Sequence, residues 1–133
     1  MAKTPILAIA MLAAVPGAAH ACADIAGATK LESERYVLAY RTNPAKVPVG
    51  QHFTMDLAVC PKSSQPAPET VRIDAQMPEH RHGMNYRTTV KAGADGLYVA
   101  EGFMFHMPGR WELIFEVRGA GKTDRVTRSV MLE

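Results

Sequence analysis

The stretch "QHFTMDLAVC" (residues 51–60) decides the fold. Phe53, Met55, Leu57 and Val59 alternate with His52, Thr54, Asp56 and Ala58. Successive side chains of a strand point to opposite faces, so a period of two makes one buried face and one wet face. The same period recurs on both sides. "ERYVLAYRT" (34–42) sets Tyr36, Leu38 and Tyr40 against Arg35, Val37 and Arg41. "TVRIDAQM" (70–77) lines up Val71, Ile73, Ala75 and Met77, and "WELIFEV" (111–117) lines up Trp111, Leu113, Phe115 and Val117. "GLYVAEGFMFHM" (96–107) gives one or two strands broken near Gly102, and "RVTRSVML" (125–132) gives the last. "NPAKVPVG" (43–50), "PKSSQPAPE" (61–69) and the hairpin turn "GAGK" (119–122) separate them. Short alternating strands divided by turn residues predict an all-β antiparallel sandwich of about seven strands. The one helical candidate is "ADIAGATKLES" (23–33), weakened by its glycine and its length.

The start of the chain has a different character. Lys3 makes a basic n-region, Ile6 to Val15 an apolar h-region, and Ala19-His20-Ala21 an A-x-A cleavage site. This reads as a secretory signal peptide over residues 1–21, followed by a single domain over 22–133. The apolar run is too short for a bilayer, which needs about 20 residues, so no membrane span is expected after cleavage. The style of the signal points to a bacterial periplasm. Two cysteines remain, Cys22 and Cys60. In an oxidising compartment an even pair reads first as one disulfide. A lipid anchor on Cys22 and a thiol metal site are the alternatives.

The composition excludes several functions. The formal charge is +2, or +1 without Lys3, and no basic block is present, so nucleic acid is not an expected partner. There is no G-x-S-x-G, no H-E-x-x-H, no Gly-rich phosphate loop and no evident Cys/His dyad, so no catalytic residue is assigned and an enzyme is not expected.

The soft side chains are unevenly placed. Beyond residue 21 there are four histidines (52, 80, 82, 106) and six methionines (55, 77, 84, 104, 107, 131). Seven of these ten fall within "MPEHRHGM" (77–84) and "MFHM" (104–107). Packing explains part of this: Met77 continues an inward face, Met55 lies on a core face, and Met104 and Met107 stand beside Phe103 and Phe105. His52 reads as a lone surface histidine. His80 and His82 continue no apolar face, and in an extended backbone Met84 would join their row. If the two segments lie side by side, His106 faces that row. Imidazole with neutral thioether suits Cu(I), whereas zinc would be better served by a carboxylate or thiolate. Glu79 and Glu101 are near enough in sequence to leave zinc open. The candidate ligands are His80, His82, Met84 and His106, then Met107 and Met77.

The run "MPEHRHGMNYRTTV…GLYVAEGFMFHMPGRWELIFEV" resembles the YtkA-like and FixH-like family of exported or membrane-tethered domains. The matching elements are Met77-Pro78, the His80 to Met84 stretch, Gly96-Leu97-Tyr98, and Met107-Pro108-Gly109-Arg110-Trp111. The resemblance implies an immunoglobulin-like β-sandwich with a role in copper handling or in assembling copper-containing respiratory enzymes.

The function expected is that of a periplasmic copper-binding protein, a copper chaperone that carries or delivers Cu(I) to a periplasmic or membrane-bound partner. The rival is a non-metal interaction module that braces another protein through the sandwich surface. The rival requires that the two soft segments stay apart.

Overall fold

The computed structural model describes Met1 and residues 23–133. The rest of the expected signal segment, and Cys22 with its expected disulfide or lipid, lie outside the described residues. Nine strands follow one another: β1 (Thr29–Glu32), β2 (Tyr36–Asn43), β3 (His52–Pro61), β4 (Thr70–Met77), β5 (His82–Gly83), β6 (Thr89–Ala92), β7 (Leu97–Met104), β8 (Gly109–Gly119) and β9 (Lys122–Leu132). One sheet has the order β1-β2-β3-β7-β6 and the other β5-β4-β8-β9, with every pairing antiparallel. The all-β sandwich is as expected: the expected strands appear as β2, β3, β4, β7, β8 and β9, with β5 and β6 as additional short edge strands and β1 in place of the helical candidate. Thr29 to Glu32 pair with Val37 to Tyr40, and that ladder outweighs the weak helical propensity of a segment that contains Gly27. No helix among the described residues is long and apolar enough to cross a membrane.

The alternating faces predict the core correctly. Tyr36, Leu38, Tyr40, Phe53, Met55, Leu57 and Val59 from one sheet meet Val71, Ile73, Ala75, Met77, Trp111, Leu113, Phe115 and Val117 from the other. Each large apolar side chain buried there contributes about 1.5–3 kcal/mol. The "GAGK" turn joins β8 to β9 through Ala120 (φ 49°) and Gly121 (φ 74°), the paired positive φ values of a two-residue type I′ hairpin.

The expected break near Gly102 is a β-bulge inside one continuous strand. Register passes from Phe53↔Phe103 to Met55↔Ala100, so β7 carries an extra residue there. Gly102 takes φ +90°, and a Cβ on it would collide with the Arg87 carbonyl oxygen. The bulge therefore lets the crossing segment 84–88, which links the two sheets, lie against β7.

One end of the sandwich is closed by a buried ion pair. Arg35 Nε donates to Asp124 Oδ1 at 2.7 Å, and both side chains are only 8% exposed. The other guanidinium nitrogens donate to the carbonyls of Gly119 (2.7 Å) and Lys122 (2.9 Å). Asp124 Oδ2 accepts from Ser33 Oγ (2.7 Å) and from the Arg35 backbone N–H (2.9 Å). Burial opposes ionisation of Asp124, but the hydrogen bonds from Ser33 and Arg35, with the Arg35 charge, hold its carboxyl below the usual carboxylate range.

Candidate metal centre

The other end of the sandwich gathers the histidines. β4 finishes at Met77, and Pro78 cannot extend the ladder. The chain turns over Glu79, His80 and Arg81, with the His80 N–H donating to the Met77 carbonyl (3.1 Å) and Arg81 at φ 56°. β5 then returns along β4, pairing His82 with Met77 and Gly83 with Gln76. Arg110 Nε donates to Glu79 Oε1 at 2.9 Å and ties this turn to the start of β8.

The second segment arrives from the opposite sheet. Phe105, 1% exposed, anchors it by stacking on Trp111 (ring centroids 4.6 Å) and packing on Phe53 (5.0 Å). Trp111 Nε1 donates to the Met107 carbonyl at 3.0 Å and fixes the following loop. Gly109 (φ +120°) lets β8 begin against Met77, whose Cε would sit 2.9 Å from an added Cβ.

These supports bring the two segments together. The His82 and His106 ring centroids are 5.1 Å apart, and His80 lies 5.7 Å from His82. The indole of Trp111 meets both rings nearly edge-on, at 5.3 Å from His106 and 6.0 Å from His82. His82 Nδ1 lies 3.0 Å from the Gly83 carbonyl oxygen. A carbonyl only accepts, so in the neutral ring Nδ1 holds the proton and Nε2 presents a lone pair. His106 Nδ1 is buried and has no hydrogen-bond partner among the described residues. An unpaired buried polar atom costs about 1–3 kcal/mol, so a group that binds there recovers that cost.

The other candidates are distributed around this pair. Met84 and Met107 are partly buried and pack against the core edge. Met77 is 0% exposed and is part of the core itself. His80 is exposed on the turn. Glu79 is engaged by Arg110, and Glu101 by Lys91 at 3.0 Å, so both carboxylates that left zinc open already have cationic partners. Among the described residues no group of three or more His, Cys, Asp or Glu side chains is placed to hold a metal ion. A third donor at the His82–His106 pair would have to be a thioether, a water or the exposed His80. Cys60 lies one residue before the end of β3, and no cysteine among the described residues is a free thiol.

The sequence reading assigned Trp111 to the core alone. The structure adds that it walls both imidazoles and holds the His106 loop. The spacing in "HMPGRW" carried that signal, because a turn of this length returns Trp111 to the residues before it. His52 is likewise not alone: its ring meets Tyr86 edge-on at 4.7 Å, and its Nδ1 lies 3.2 Å from the Phe103 carbonyl oxygen.

Among solved structures, the chain is similar to the crystal structure of a DUF4426 family protein from Pseudomonas aeruginosa PAO1. The two are 10% identical, the match covers 80% of this chain and 97% of that one, and the TM-score is 0.50, a likeness of fold alone. The comparison with curated proteins gives no match. A family model described as YtkA-like matches residues 32–116, a span that runs from the end of β1 into β8 and holds both histidine segments. The chain belongs to the YtkA-like family.

Proposed function

We propose that this chain is an exported copper-binding protein that carries one Cu(I) ion and exchanges it with a periplasmic or membrane-bound copper protein. The observation that carries this reading is the 5.1 Å approach of His82 and His106, with a buried, unpartnered Nδ1 on the latter. Donor atoms of one site lie within about 4–5 Å of each other when bond lengths are near 2 Å. Rings at this separation meet that condition after small side-chain rotations.

His82 and His106 would hold the ion, with Met84 and Met107 as the thioether donors nearest in the chain and His80 as an outer ligand. Such a neutral nitrogen and sulfur set favours Cu(I) over Zn²⁺ and Mg²⁺. Engagement of Glu79 and Glu101 by cations counts further against a hard-ligand site. His82 stands on a two-residue edge strand and His106 on a loop, so a partner's ligands can replace them one at a time. Trp111, buried and stacked on Phe105, lies against one side of both imidazoles. The rival interaction module needs the two soft segments to stay apart, and the distance between the rings counts against it.

The test is an anaerobic Cu(I) titration against a chromophoric chelator. The protein should retain one equivalent, and His82→Ala and His106→Ala should each weaken retention at least tenfold. If the protein does not compete for Cu(I), the copper reading fails.

A further inference from the structure

A second soft-donor pair stands outside this site. His52 and Met104 are register partners on β3 and β7. Phe53 and Phe103, their neighbours in the chain, are buried at 3% and 0% exposure, so alternation turns His52 and Met104 together onto the outer face of their sheet. Directly paired residues of an antiparallel ladder have Cβ atoms about 4.5–5.5 Å apart, close enough for imidazole and thioether to reach one ion. The His52 ring is already oriented. Its Nδ1 faces the Phe103 carbonyl oxygen at 3.2 Å, so in the neutral ring Nδ1 is the donor and Nε2 is left with its lone pair. Tyr86 holds the ring from the side at 4.7 Å. Tyr86 lies on the segment that continues from His82 and Met84, so the two donor groups share one stretch of backbone.

We propose that His52 and Met104 form a second, weaker site for a soft monovalent cation, Cu(I) or Ag(I), on the outer face of the β3–β7 ladder. Two neutral donors suffice for such an ion, which accepts low coordination, and would not retain Zn²⁺ or Mg²⁺. His52 is exposed and Met104 partly buried, so the pair is open to solvent. The proposal rests on the proposed function only for the identity of the ion.

The experiment is a titration of protein labelled with ¹³C at the methionine methyls, using Ag(I) in air and Cu(I) without oxygen, followed by NMR. The Met104 methyl should move only beyond the first equivalent. His52→Ala should abolish that second shift and leave the first equivalent intact, and Met104→Leu should remove the second equivalent. His106→Leu should remove the first equivalent while Met104 still responds in a His52-dependent manner, so failure of either site is seen separately. A Met104 methyl that stays fixed through two equivalents, or that moves with the first, would overturn the second site.

Discussion

The two ends of this sandwich treat buried polar atoms in opposite ways. At one end Arg35 and Asp124 satisfy each other and the carbonyls of the β8–β9 hairpin. At the other, about 34 Å along β8 at roughly 3.4 Å per residue, His106 keeps a buried ring nitrogen without a partner among the described residues. A closed network specifies structure. An open one costs stability unless something else completes it. Under the function proposed above, the first end maintains the fold and the second is kept ready for a ligand.

The sharpest way to break this contrast is at the closed end. Arg35→Met leaves Asp124 buried and uncompensated, and should cost about 3–5 kcal/mol in urea unfolding. Cu(I) affinity of the folded fraction should be unchanged. Asp124 also sets an acid limit. Its carboxyl is lower in the folded than in the unfolded chain, so its contribution is complete above the unfolded value near 3.9 and is lost as pH falls from there through the folded value. In Asp124→Asn that part of the acid dependence should disappear, which a series of melts from pH 7 to 2 would reveal.

The disulfide expected between Cys22 and Cys60 would act on the same structural side of the contrast. A thiol-reactive dye should label the protein only after reduction, and reduction should lower stability by about 3–4 kcal/mol. A smaller loss, about 1–3 kcal/mol, is expected for Gly102→Ala, which forces a side chain into positive φ against the Arg87 carbonyl. The smallest effect should come from the open end. His106→Leu removes the buried ring nitrogen and should leave metal-free stability within about 1 kcal/mol of the parent, or slightly above it, while removing the first, tighter equivalent of Cu(I). A large loss of metal-free stability would make His106 a structural residue and erase the contrast.

Much of this was legible in the chain. Alternation in residues 36–40, 53–59, 71–77 and 111–117 predicts which faces are buried, because a strand leaves each residue only two directions. The edge strands were not legible. His82–Gly83 and Thr89–Ala92 are too short to show a period, and β1 is defined by its pairing with β2 rather than by its own pattern. The gathering of histidine and methionine along the chain pointed to the site, but the closeness of His82 to His106 depends on how two sheets are packed. The His52–Met104 pair was hidden for the same reason: residues 52 and 104 meet only through register, which a one-residue slip would undo.

The measurement that tests the central claim most directly is imidazole ¹⁵N NMR of the protein before and after one equivalent of Cu(I), without oxygen. The account predicts that the ring nitrogens of His82 and His106 move together and saturate at one equivalent, with His52 unmoved. Shifts that leave His106 untouched, or no shift at all, would contradict it.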